Sequence, residues 1–201
     1  KDANYLEYNQ TKAQEYLKSA GYEKKEGSMY YESKDNEILS FTLTYFESPS
    51  NDRLVTELKN LLEKEGIILK VERLNYTQIT QEIIATRDFE LLLYEVETTV
   101  DPDQYNLWHS LKSSYPDLNL SGYSYERVDI LLEDGRKTTN ENTRKARYIS
   151  FQKYLVEDAP VIFLYHPNFI YVVNNQLKGI NLDKGNFSYE RFANIESWYW
   201  K

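Results

Sequence analysis

At 201 residues the chain is long enough to bury a full hydrophobic core without a metal or disulfide staple, and one domain over 1–201 is the default expectation. Lys and Arg number 24 against 32 Asp and Glu, and the basic residues are scattered, so the net charge of -8 argues against a nucleic-acid partner, whose phosphates demand clustered cations. Cysteine is absent, which excludes disulfides and thiolate zinc sites but leaves the compartment open.

No apolar run in the sequence is long enough to cross a membrane, and KDANYLEYNQ at the start lacks the basic flank and apolar core of a signal peptide. A charged segment leading straight into a helix raises the expectation of further sequence upstream. A first helix is predicted over 11–20, with Ala13, Tyr16, Leu17 and Ala20 on one face, Thr11 and Gln14 spaced as a capping box and Gly21 as the stop. Residues 27–36 read as a turn-rich loop or small hairpin. In 39–46, Leu39, Phe41, Leu43 and Tyr45 alternate with Ser40, Thr42 and Thr44, the period of a strand with one buried face.

Asn51 or Asp52 is positioned to cap a second helix bearing Leu54, Val55, Leu58, Leu61 and Leu62, which Gly66 ends before a strand at 67–73. Strand, helix and strand with short connections define a βαβ unit with parallel strands. Asn75 can cap a third helix carrying Ile79, Ile83 and Ile84, and the chain then returns as a strand at 89–95. The repetition points to an α/β fold with a mixed, largely parallel sheet flanked by helices.

Beyond Pro102, the sequence predicts a short helix with Tyr105, Leu107, Trp108 and Leu111, then an irregular loop over 112–125 and two helices near 125–136 and 142–157. The last of these is given a stripe of Ala146, Ile149, Leu155 and Val156. VIFLY at 161–165 and FIYVV at 169–173 read as strands around His166-Pro167-Asn168. Local signals in 176–201 assign no element.

Strand ends are where α/β folds place ligand contacts, and the strand at 89–95 runs into an acidic stretch, so Tyr94, Glu95, Val96, Glu97, Thr98 and Asp101 are the candidate ligand-binding residues. Asp101-Pro102 also reads as a helix start, with Asp101 as N-cap and Pro102 as the first helical residue. Asp129 is expected to pair with Arg144 or Arg147 and brace the two late helices. The histidines, His109 and His166, are assigned structural or solvent roles, and no HExxH, GxSxG or phosphate-loop pattern appears, so no catalytic residue, metal site or cofactor is expected. Nineteen tyrosines leave an alternative open, a tyrosine-rich protein-interaction or peptide-sensing module not coupled to transport. Their dispersal along the chain favours a general compositional bias.

The block DFELLLYEVETTVDPDQY at 88–105, together with Ala20-Gly21-Tyr22, Glu65-Gly66-Ile67, Gly122-Tyr123, Asp129, Arg144, Tyr148, Gln152, Pro160 and Gly179, resembles the C-terminal half of family 5 extracellular solute-binding proteins, the oligopeptide, dipeptide and nickel receptors of ABC importers. The resemblance implies the second lobe of a two-lobed, type II periplasmic-binding architecture, with residues 94–101 facing a cleft whose other wall is a missing N-terminal lobe. It further implies a peptide or similar small solute as ligand and a membrane ABC permease as partner. The location it implies is extracellular, lipid-anchored through a missing N-terminal segment, or periplasmic. Glu95 and Thr98 stand where oligopeptide-binding relatives carry a Trp and an Asp, which leaves the identity of the ligand open.

Overall fold

The computed structural model describes residues 7–97, 101–167, 170–181 and 188–201. They fall into two compact units, Lys1–Glu97 with Asp103–Pro160, and Thr98–Pro102 with Val161–Lys201.

In the first unit, helix α1 spans Gln10–Ser19, close to expectation, but its cap is Asn9, whose side chain accepts from the Lys12 amide at 2.9 Å. Thr11 lies inside the helix. A small antiparallel hairpin, β1 (Glu23–Lys24) and β2 (Tyr31–Glu32), follows. Strand β3 (Ser40–Phe46) is the centre of a three-stranded sheet. Its Leu43 and Tyr45 pack on helix α2 (Pro49–Glu65) through Val55, Leu58 and Leu62. Thr44, expected on a polar face, is also buried, because a central strand is covered on both sides; its Oγ1 donates to Glu72 Oε2 at 2.9 Å.

Helix α2 begins earlier than predicted. Ser48 is the cap, its Oγ accepting from the Asn51 amide at 3.1 Å, and Pro49 supplies the preset φ of a first helical residue. Asn51 instead donates from its side chain to the Phe46 carbonyl at 2.9 Å. Gly66 ends α2 at φ 87°, and a Cβ there would lie 2.4 Å from the Met29 carbonyl oxygen. The Gly66 carbonyl also accepts from the Tyr31 amide at 2.9 Å, which ties the hairpin to the helix end.

Strand β4 (Ile68–Leu74) runs parallel to β3 with Ser40 opposite Ile68, as the βαβ reading requires. Asn75 then caps α3 (Tyr76–Gln78) in a full capping box with Gln78. The helix widens into a π-helical stretch, Ile79–Ile84, that buries Ile79 and Ile83. Strand β5 (Leu91–Leu93) joins the other side of β3, also parallel, so the sheet order is β4-β3-β5.

The next helix, α4 (Tyr105–Trp108), starts at Gln104, and the Asp103 carboxylate accepts from the Tyr105 amide at 3.0 Å. Asp101 is therefore not its cap, and Pro102 lies outside it. A 3-10 turn (Ser110–Lys112) leads into a loop organised by Asn119, which is 0 % exposed. The Asn119 amide donates to the carbonyls of His109 at 3.1 Å and Tyr123 at 2.8 Å, and its Oδ1 accepts from the Tyr123 amide at 3.2 Å.

Helices α5 (Glu126–Lys137) and α6 (Glu141–Asp158, capped by Asn140) close on Val128, Leu132, Tyr148, Phe151 and Leu155. The α6 stripe is thus Tyr148, Phe151 and Leu155 rather than the run containing Ala146 and Ile149. The Trp108 ring, 6.3 Å from Phe151, shows why: α4 presents an aromatic face that selects the aromatic side of α6. Asp129 does not brace α6. It accepts from the Ser110 amide at 2.9 Å and from Ser110 Oγ at 2.6 Å, fastening α5 to the 3-10 turn, while Arg147 Nε stands 3.4 Å from Asp134 and Arg144 Nε donates to the Gly135 carbonyl at 3.1 Å.

The second unit contains an antiparallel pair, β6 (Leu177–Lys178) with β7 (Tyr199–Trp200), and 3-10 turns at Ser188–Phe192 and Ile195–Ser197. The expected strands in 161–165 and 170–173 do not form among the described residues. Strand pairing needs a neighbouring strand's backbone, and no assigned strand lies against either run. Residues 168 and 169 lie outside the described residues.

Candidate functional site at the carboxyl edge of the sheet

All three strands of the parallel sheet end on one edge, and the chain steps from β3 to β4 on one side, then returns to β5 on the other. Such a reversal opens a crevice at the carboxyl ends of the strands. β5 delivers Tyr94, Glu95, Val96 and Glu97 to this edge, all exposed, with Tyr94 at 43 % and Val96 at 45 %. Glu95 and Glu97 form no ion pair among the described residues. Thr98 lies outside the described residues, and Asp101 belongs to the second unit, where it is exposed.

The neighbouring strand ends add groups that sequence reasoning missed. Phe46 closes β3, and its ring stands 6.5 Å from Tyr76, edge to face, with Tyr76 largely exposed just beyond β4. Between these strand ends, Arg73 donates from Nη1 to Glu47 Oε2 at 2.7 Å and from Nε to Asp52 Oδ1 at 3.0 Å, and Tyr45 OH donates to Asp52 Oδ1 at 3.0 Å. The Arg73 guanidinium holds the Asp52 carboxyl below its usual range, and burial together with the bond to Asp52 pushes the Tyr45 phenol up. Glu47 and Asp52 together neutralise the Arg73 guanidinium. The edge therefore offers aromatic surface and uncompensated carboxylates, a surface that suits an apolar ligand with a positive group. These companions lie at or just beyond the carboxyl ends of β3 and β4, so the predicted parallel order was itself the signal for them.

The described residues hold no cluster of three or more His, Cys, Asp or Glu suited to a metal ion. His109 is buried. Its Nδ1 accepts from the Leu111 amide at 3.2 Å, its Nε2 lies 3.4 Å from Glu133 without an aligned hydrogen bond, and its ring stacks 4.2 Å from Tyr105. Two open hollows lie away from the edge, one of about 290 Å³ lined by Asp134, Lys137, Thr138, Thr143 and Arg147, the other of about 300 Å³ between α1 and the hairpin. Neither includes a candidate residue. No helix among the described residues is long and apolar enough to cross a membrane.

A parallel α/β sheet flanked by helices, with its carboxyl edge open, is the architecture of one lobe of a periplasmic-binding-protein fold. The profile of the bacterial extracellular solute-binding proteins, family 5 Middle, matches residues 1–117, and the chain belongs to that family. It is 26 % identical over 201 residues to the oligopeptide-binding protein AppA of Bacillus subtilis (strain 168), covering 98 % of this chain and 36 % of AppA. The structure of AppA in complex with a nonapeptide matches the fold with a TM-score of 0.75 at 25 % identity, over 100 % of this chain and 40 % of AppA. Protein XP55 of Streptomyces lividans is 32 % identical over 171 residues, 82 % of this chain and 30 % of XP55. NikZ from Campylobacter jejuni, solved with Ni(L-His), matches with a TM-score of 0.68 and 26 % identity over 97 % of this chain and 40 % of NikZ. The chain spans well under half the length of each of these relatives.

Proposed function

We propose that the chain is part of the substrate-binding component of an ABC importer, a receptor that captures a peptide or similar small solute between two lobes and hands it to a membrane permease. Residues 1–201, expected as a single domain, supply its C-terminal lobe. An N-terminal lobe outside these 201 residues supplies the opposing wall. The observation that carries this reading is the open carboxyl edge, where Tyr94 and Val96 stand exposed beside the unpaired carboxylates of Glu95 and Glu97. Thr98 and Asp101 complete the candidate contact set.

AppA was solved with a nonapeptide and NikZ with Ni(L-His), so the family accommodates chemically different solutes. The acidic edge favours those carrying a cationic group, such as a peptide α-ammonium, over anionic ones. A closing clamp gains its affinity from contacts made by both walls at once and from expelled water, so one lobe alone should hold solute weakly. The protein binds its solute without turning it over. Its location is extracellular, lipid-anchored through a segment outside these residues, or periplasmic. The scattered exposure of Tyr8, Tyr16, Tyr76, Tyr115 and Tyr199 over different elements supports this reading over a tyrosine-rich docking module.

Calorimetry on the complete protein tests the reading. Peptides with a free amino terminus should bind at micromolar or better affinity, and the double substitution Glu95→Gln, Glu97→Gln should weaken them about tenfold or more, roughly 1.4 kcal/mol, while N-acetylated peptides lose far less. Absence of heat from peptides, nickel chelates and sugars alike would defeat the reading.

A further inference from the structure

Strand β4 ends one side of the three-stranded sheet, and among the described residues nothing pairs with its outer edge. The Ile68 amide donates to the Leu39 carbonyl at 3.0 Å and the Leu74 carbonyl accepts from the Glu47 amide at 2.8 Å, so the even-numbered residues of β4 turn their backbone groups toward β3. By the alternation of a strand, Leu69, Val71 and Arg73 turn theirs outward, an open row of donors and acceptors. Lys70, Val71, Glu72 and Arg73 are all exposed along this edge, Val71 at 42 %.

Charges on an edge strand commonly serve to repel another strand, and like charges would do so here in any register. Lys70 and Glu72 are instead of opposite sign, share one face of the sheet and flank Val71 symmetrically. Neither has an ion pair among the described residues, Glu72 accepting only from Thr44 Oγ1. Such a pattern is complementary to itself. When two copies of β4 run antiparallel with Val71 opposite Val71, Lys70 meets the partner's Glu72 on both sides of the axis and Ile68 meets the partner's Leu74. Leu69 then stands opposite the partner's Arg73, whose charge Glu47 and Asp52 already take. In this register the outward-turned residues, Val71 with Val71 and Leu69 with the partner's Arg73, are the pairs that exchange both N–H···O bonds, while Lys70 and the partner's Glu72 occupy the closer, non-hydrogen-bonded positions. Centring on Lys70 or Glu72 brings like charges together, and centring on Leu69 or Arg73 sets each charge against an aliphatic side chain.

We propose that β4 is a self-association edge, on which two copies of the protein pair antiparallel about a two-fold axis at Val71 and join their sheets into one. The edge lies across β3 from β5 and the candidate residues that follow it, so pairing and solute capture occupy different sides of the sheet and the proposal does not rest on the importer reading. A strand pair is a small interface, and the dimer forms reversibly as concentration rises.

Sedimentation equilibrium and disulfide trapping on the complete protein test this, with any cysteine outside these cysteine-free 201 residues replaced by serine. Val71→Cys sets two thiols opposite each other, with Cα atoms about 5.5 Å apart, and should lock a covalent dimer on oxidation, whereas Lys12→Cys on the exposed surface of α1 should not. Lys70→Glu and Glu72→Lys should each weaken association about tenfold, and the two together should restore it, because the exchanged charges again meet across the axis. Val71→Pro should abolish association and leave the sheet intact, since the amide it removes points away from β3. Glu72→Lys also takes the acceptor from Thr44, so Lys70→Glu and Val71→Pro carry the test if that variant does not fold. A protein that stays monomeric at its highest soluble concentration, or an association unmoved by Lys70→Glu and Val71→Pro, would overturn the proposal. Solute binding is measured separately and bears on the importer reading alone.

Discussion

In α5 and α6 the apolar positions Val128, Leu132, Phe151 and Leu155 are buried against one another, whereas Ile162, Ile170 and Val172, a few residues further along the chain, face solvent. The two regions are both apolar and differ in whether the described residues supply a packing partner. A helix satisfies its backbone internally, and α5 finds α6 three residues away, with Tyr105 and Trp108 of α4 packed on the same core. A strand satisfies its backbone only on a neighbour, which can come from anywhere in the polypeptide. Apolar pattern thus reports that a segment is to be buried; locality decides whether a given stretch of chain can bury it.

The sharpest way to break this comparison is to truncate both regions. Leu132, fully buried, should lose about 2–5 kcal/mol on Leu132→Ala, read from urea denaturation of the 201-residue chain, whereas Ile162→Ala in the same chain should move stability by less than about 0.5 kcal/mol. Equal losses would show that Ile162 is already buried within the 201 residues. Next in size is Asn119→Ala, which removes the side chain satisfying the carbonyls of His109 and Tyr123 and should cost about 1–3 kcal/mol, with early loss of protection in the loop at 112–125. A neutral result would mean that water replaces the amide and the loop carries little of the helix pair's order.

The smallest effect concerns pH. Asp52 has its folded value depressed, first by the hydrogen bond from Arg73, so its contribution is present above the ordinary carboxylate value of about 3.9 and is lost as pH falls through the folded value. Asp52→Asn should lower the neutral plateau slightly, the group being solvent-accessible, and converge with the parent chain below the folded value, so that this part of the acid limb in pH-dependent unfolding is flatter. An unchanged acid limb would remove Asp52 from the carboxyl edge's ion-pair network.

What could be read in the sequence follows the same division. β3, α2, β4, the Asn75 cap and β5 were legible because each declares itself by local period and punctuation, Gly66 and Asn75 above all. The α2 cap was misplaced by three or four residues because Ser48, Asn51 and Asp52 are all competent caps, and Pro49 decides among them. The α6 stripe was misread because Trp108 and Tyr105, from a distant helix, choose its aromatic side. Asp101-Pro102 carries the chemistry of a helix start, yet the Asp103 carboxylate takes the amide of Tyr105 instead. At the candidate site the acidic strand end was visible as a run, while Phe46, Tyr76 and the Arg73 cluster become its neighbours only once three separated strands end together.

Gly66 joins two elements with no side chain of its own. With the Met29 carbonyl oxygen 2.4 Å from where a Cβ would sit, and with the Tyr31 amide bonded to the Gly66 carbonyl, the turn end of the hairpin rests on the helix terminus, while Gly27 in that turn and Asn36 in the turn after β2 stay exposed. The exposed turn after β2 is thereby left as a graft point: an epitope inserted between Asp35 and Asn36 should leave the three-stranded sheet untouched, and any side chain at position 66 should pry the hairpin from the helix end before it disturbs anything else.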